Sequence, residues 1–194
     1  FGIEESYRMY DDEANRNPDL TYTENSEGGF YTHYVDNSDA GCDNNNVGGY
    51  GNATLPLCII PYNDLPEGSV VEVRGQYNYS HSSPRNFQEI RGTAARPIFI
   101  RGLASDRPRF TRSISIIGGS YIIIENIVIE DQDGNLSGGL AGSFGIGTKA
   151  NYRLNSDHIS LRHSDLSGNL EGYGGIGISG YDSESFTSNI VLYN

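Results

Sequence analysis

An apolar-x-apolar pair that keeps returning constrains the fold of this chain more than any other feature. With Ile122/Ile124 of the stretch SYIIIENIVIED (residues 120–131) as the anchor, the pair recurs as Val71/Val73, Ile98/Ile100, Ile159/Leu161 and Ile190/Leu192, at intervals of 27, 24, 37 and 31 residues. Each copy is too short to bury an apolar face by itself. The copies must therefore stack on one another, and a repeat of roughly 20 to 50 residues made only of strands and turns predicts a β-solenoid.

The inside of one repeat sharpens that expectation. Ile122/Ile124 are followed by Ile127/Ile129 and then, after a polar Gly-rich stretch, by Ile146 in GIGTK. Ile159/Leu161 are followed by Leu166 and then by Ile176/Ile178 in GGIGISG. Three short strands per coil, each alternating inward apolar and outward side chains, account for this order. Between the first and second strands stands one residue, Asn126, with His163 and Asn194 as its equivalents. A column of amides or imidazole at such a bend can satisfy its own polar groups, and Asn tolerates the left-handed backbone the bend demands.

Strands, a one-residue corner held by Asn, a long variable loop and a Gly-containing third strand resemble the right-handed parallel β-helix of the pectate-lyase-like superfamily. The upstream pieces YVDNSDAGC, LPLCIIP, LPEGSVVEVRG and IRGTAARPIFIRG are similar to the entry segment of secreted bacterial β-helix proteins, extracellular polysaccharide lyases among them. The resemblance covers about residues 34–194. It implies an all-β, right-handed parallel β-helix with an N-terminal cap. It leaves the activity open, because the superfamily holds lyases, hydrolases, epimerases and non-catalytic adhesins.

The expected organisation is an acidic N-terminal arm over residues 1–32, a cap over 33–68 and stacked coils over 69–194. The arm lacks periodicity, and the sequence does not decide whether it is free or lies along the coils. The cap covers the unpaired backbone of the first coil. A fifth coil opens at residues 189–194 with no closing segment after it, so further coils of the same polypeptide, or another subunit, are expected to cover that end. Cys42 and Cys58 flank a loop of Asn, Gly and Pro. One disulfide could close it; two lone buried thiols are the alternative. With a first residue of Phe and two cysteines spaced for a disulfide, the chain reads as a processed export product in an oxidising, extracellular setting. Sequons at Asn52, Asn78 and Asn135 accord with that or are accidents of an Asn-rich chain.

Of 13 basic residues only Lys149 is a lysine, and the formal net charge is -12. Phosphate binding needs clustered positive charge, so nucleic acid is excluded as the expected partner. No stretch approaches the roughly 18 apolar residues that span a bilayer. Hydrophobic residues make up 36% of 194, enough to bury the core of one domain.

The resemblance implies that saccharide lies along the outer face of the strand after the long loop, represented by residues 113–117, 145–149 and 175–179. With Ile146 and Ile176 inward, alternation turns Gly147, Lys149, Gly177 and Ser179 outward, and two neighbouring glycines make a shallow floor. Glycine that merely serves tight coiling is the alternative. Elimination at a uronate needs a base for the proton beside the carboxylate, and Lys149 can be that base if Arg153 lowers its pKa. A solvated lysine is the plain reading. Tyr152, Tyr173 and Tyr181 lie on loops near the groove, where phenol faces stack on sugar rings. Glu130, Asp131 and Asp133 open the long loop as a candidate Ca²⁺ site, with Asp36, Asp39 and Asp43 as a second; solvated loop carboxylates are the alternative in each case. Asp165 and Glu171 are unpaired candidates for hydrolysis. His158 begins a strand and His163 fills the corner column, so neither is a preferred catalyst. The leading expectation is a secreted protein that binds or cleaves an extracellular polysaccharide. Its rival is a non-catalytic scaffold or adhesin.

Overall fold

The computed structural model describes residues 13, 16–77, 86–111, 114–131, 144–147, 155–168, 176–178 and 187–193. A hairpin of β1 (Thr23–Glu24) and β2 (Phe30–Tyr31) is the one antiparallel pair among the described strands. Then come β3 (His33–Asp36), β4 (Val70–Arg74), β5 (Gln76–Tyr77) and β6 (Asn86–Gln88). They are followed by β7 (Ile98–Gly102), β8 (Arg109–Phe110) and β9 (Ile114–Ile117). The next three are β10 (Ser120–Glu125), β11 (Val128–Asp131) and β12 (Phe144–Gly147). The last are β13 (Ser156–Arg162), β14 (Asp165–Gly168), β15 (Ile176–Ile178) and β16 (Thr187–Tyr193).

From β4 onward, consecutive strands fall in turn into three parallel sheets, ordered β16-β13-β10-β7-β4-β3, β14-β11-β8-β5 and β15-β12-β9-β6. Every parallel neighbour is thus a repeat away in sequence, the spacing that the recurring apolar pair announces. The protein is all-β and mostly parallel, an arrangement compatible with a β-helix-like fold. No helix among the described residues is long and apolar enough to cross a membrane.

Alternation along each strand sends every second side chain into one core. On the large sheet Ile98, Ile122, Ile159 and Ile190 stand in register, beside a second row of Val71, Ile100, Ile124, Leu161 and Leu192. The other sheets add Tyr77, Phe110, Ile129 and Leu166, and then Phe87, Ile116, Ile146 and Ile178. Side chains from all three sheets meet in a single cluster, with Val71, Ile98, Ile116, Ile122 and Ile129 fully sealed from solvent. Toward the last strands that seal loosens, and Ile178 and Leu192 are about half exposed, at 51% and 46%.

Matching apolar pairs alone aligns Val71/Val73 with Ile98/Ile100, but the observed partners are Ile100 and Gly102. A slip of two residues leaves every side chain on its own face, so hydrophobicity cannot distinguish the two registers. Charge does. The pattern-matched register would set Arg74 opposite Arg101, whereas the observed one sets Glu72 opposite Arg101, followed by Glu125 and Arg162. Opposite charges facing each other across strands stabilise, and like charges destabilise. The resulting row on the outer face alternates in sign over four strands.

That row is not left in water: Glu72, Glu125 and Arg162 are 2%, 6% and 4% exposed. Residues 16–31 lie over this face, which settles the question the acidic arm leaves open for its described part. Tyr22 and Tyr31 pack with Tyr34, Val70, Phe99, Leu103 and Ile123 into a second apolar cluster. Asn25 Nδ2 donates to Glu72 Oε2 at 2.6 Å, Asn17 Nδ2 to the Glu67 carbonyl at 2.9 Å and the Tyr22 hydroxyl to the Gly68 carbonyl at 2.6 Å.

The corners behave as the Asn column predicts, with Asn126 at φ 54° and His163 at φ 50°. Asn194 lies outside the described residues. A second left-handed set, Tyr121, His158 and Asn189, bulges from the large sheet, and the rings of Tyr121 and His158 stack at 4.3 Å and 8°. Gly102 is required for a different reason: a Cβ there would lie 2.1 Å from the Asn126 carbonyl oxygen and 2.3 Å from Pro108 Cδ.

The free edge of β3 is closed by the segment that follows it. Tyr34 N–H donates to the Tyr50 carbonyl, Leu57 N–H to the Tyr34 carbonyl and Asp36 N–H to the Leu57 carbonyl, at 2.8 to 3.0 Å. Cys42 and Cys58 are joined in a disulfide across 16 residues of this segment, a loop length at which a crosslink contributes about 3 kcal/mol.

Candidate functional site

The outer face of the sheet β15-β12-β9-β6 is the surface that the sequence marks for a ligand. In register across it run position 86, Ser115, Gly145 and Gly177, and beside them Gln88, Ile117 and Gly147. Ile116 and Ile146 point inward and are fully buried, so parity places the glycines on the opposite face. The neighbours differ from expectation: Gly177 pairs with Gly145, and Ile178 rather than Ile176 pairs with Ile146. The cause is Phe144, which begins β12 and aligns with Ile114 and Ile176, filling the inner row with an aromatic ring one pair ahead of the GIG triplet. The outcome is a lane whose consecutive side chains are one hydroxymethyl and two hydrogens. Gly177 is its half-exposed end, while Ser115, Gly145 and Gly147 are buried.

Lys149, Arg153, Tyr152, Tyr173, Ser179 and Tyr181 lie outside the described residues, as do Asp133 and Glu171. Of the acidic trio at the long loop, Glu130 is engaged by Arg109 Nη1 at 2.6 Å, and Asp131 is placed only by its backbone pairing with Gly168. Asp165 accepts from Arg107 Nη1 at 2.8 Å, and Arg107 Nη2 donates to the carbonyls of Ile127 and His163. Arg107 thereby ties two successive corners together, with its Nε buried and unpaired.

Among the described residues no three His, Cys, Asp or Glu side chains converge as on a metal ion. Asp36, Asp39 and Asp43 in particular are not gathered into a calcium cluster. Each turns back on its own loop, accepting from the N–H two residues ahead: Ser38 at 2.9 Å, Gly41 at 2.7 Å and Asn45 at 2.8 Å. Local Asx turns of this kind hold one oxygen of each carboxylate against its own loop.

His33 is a residue that sequence reasoning passes over. It pairs with Val71 in register and so ends the inner row of Ile124, Ile100 and Val71 with an imidazole that is 3% exposed. Burial without a charged partner pushes its pKa down to about 4. Thr32 Oγ1 lies 2.8 Å from His33 Nδ1, 3.0 Å from the Val70 carbonyl and 2.9 Å from Val70 N. All three are hydrogen bonds at once only if the hydroxyl donates to the carbonyl and Nδ1 carries the ring proton, which leaves the lone pair on Nε2. The ring of Tyr50 stacks on the imidazole at 4.8 Å. The only signal for this site in the sequence is a histidine at the inward position of a strand otherwise spelled by Val and Tyr.

Comparison with protein-family models, with curated proteins and with solved structures finds no match.

Proposed function

We propose that this protein is a secreted right-handed parallel β-helix with three strands per coil that binds an extracellular, uronate-containing polysaccharide along the outer face of β15-β12-β9-β6 and cleaves it by β-elimination. The observation that carries the reading is the lane of Ser115, Gly145 and Gly177, three positions in register with minimal side chains, of which Gly177 is the one open to solvent. The disulfide supports an oxidising compartment. Lys149 is the proposed base, with Arg153 four residues on in sequence to depress its pKa, and the proton it takes is the one next to the uronate carboxylate. Calcium is the proposed bridge between an acidic protein and an acidic polymer, held by loop oxygens.

The test is incubation of the purified protein with a panel of acidic polysaccharides and calcium, followed by the ultraviolet absorbance of unsaturated uronates and by affinity electrophoresis. The expected result is product from at least one polymer, lost in Lys149→Ala, with retention on the same polymer weakened tenfold or more in Gly177→Val. Binding without product keeps the lane and removes the elimination. Neither binding nor product from folded protein favours the rival, a stiff non-catalytic scaffold.

A further inference from the structure

The end of the stack opposite the half-exposed Gly177 carries a second concavity. Beneath β3 the loop from Asn44 to Asp64 and the ring of His33 border an open concavity of about 460 Å³, within the roughly 300 to 1,000 Å³ usual for small-molecule sites. Its floor is apolar, with Leu57 and Ile60 at 2% and 1% exposure. Its rim presents two phenol rings, Tyr50 and Tyr62, at 42% and 40% exposure.

The polar groups around it are uncommitted in a particular way. Nε2 of His33 is the ring nitrogen left over once Thr32 holds Nδ1. Asn63 and Asp64 also line the cavity, and their side chains form no hydrogen bond or ion pair among the described residues. No Lys or Arg stands in the lining. A ligand suited to these walls donates hydrogen bonds to an imidazole lone pair and a carboxylate, accepts one from an amide, lays a C–H face on a phenol ring and carries no negative charge. Phosphates and carboxylates meet no cation here. A flat aromatic ligand would use the rings but leave the buried imidazole unanswered, and a buried polar group left unpaired weakens binding.

We propose that this cavity binds a neutral pyranose, with sugar hydroxyls donating to His33 Nε2 and the Asp64 carboxylate and the ring face resting on Tyr62. The site is separate from the glycine lane and selects the opposite kind of sugar, uncharged where the lane takes uronate. A polymer of mixed composition could then be gripped at both places.

The experiment is an NMR titration of full-length protein labelled at histidine, following the His33 ring signals. The probes are methyl β-glucopyranoside, methyl α-mannopyranoside, methyl β-galactopyranoside and, for charge, sodium glucuronate. At least one neutral glycoside is expected to shift the His33 signals saturably, with glucuronate weaker. Tyr62→Ala and Asp64→Ala, both changes at the rim rather than in the core, are expected to raise Kd tenfold or more, while Gly177→Val leaves the titration unchanged. His33 signals that stay still with all three neutral glycosides, tighter binding of glucuronate, or unaltered Kd in both rim variants would overturn the proposal. Because Gly177→Val is silent here and disabling in the polysaccharide assay, failure of one site is distinguishable from failure of the other.

Discussion

Glu125 shows what a single side chain can hold. Burial alone would raise its pKa, but Arg101 and Arg162, each donating through Nε, outweigh that and keep the carboxyl below its ordinary 4.5. Removing it takes the shared carboxylate from two guanidiniums under the covering segment, and breaking such a pair on one side costs about 3 to 5 kcal/mol. Glu125→Ala is therefore expected to lower the midpoint of urea unfolding by that equivalent, and an unchanged midpoint would show the row to be ornamental. His33 makes the complementary case. Its pKa falls from 6.5 to about 4 on folding, so between those values the unfolded chain binds the proton and the folded one does not. Stability is whole above pH 6.5 and declines as pH drops toward 4, by about 3 kcal/mol at 1.36 kcal/mol per unit. His33→Gln is expected to flatten that slope in unfolding curves taken from pH 7 to 4, whatever it does to stability at pH 7.

At the scale of the element, alternation is readable and register is not. Period two identifies which face each residue of SYIIIE or HISLR takes, because a strand has only two faces. It cannot say which rung a strand sits on, since Val71 could face Ile98 or Ile100 with equal apolar contact. The deciding neighbours, Glu72 opposite Arg101 and Phe144 opposite Ile114, stand about 30 residues apart in sequence and become visible only once the pairing is known. The same limit hides His33, whose meaning comes from standing under Val71. The corners were legible because Asn126 carries its own conformational preference. Gly102 was not, since its need arises from the carbonyl of Asn126 in the next copy. Gly102→Ala is expected to destabilise by about 3 kcal/mol or more, as overpacking against backbone does. A thermal midpoint within a degree of the parent would mean that β7 and the next corner do not approach as described.

For the whole molecule, the consequence of parallel strands drawn from successive repeats is that columns, not individual contacts, are the unit of structure. A lane of small residues on one sheet, an alternating charge row on another and an imidazole closing the inner column all follow from one stacking register. The candidate sites inherit their positions from it, so a change of register by one strand pair would dissolve the lane. The most direct test is a methyl NOE experiment on protein labelled at isoleucine and valine methyls. Rungs about 4.8 Å apart give strong cross-peaks between Ile98 and Ile122, Ile122 and Ile159, and Ile159 and Ile190, and weak or absent ones between Ile98 and Ile159, two rungs apart at about 9.6 Å. Absence of the three consecutive cross-peaks, or cross-peaks linking Ile98 to Val71 more strongly than Ile100 does, would contradict the stacking on which every site described here depends.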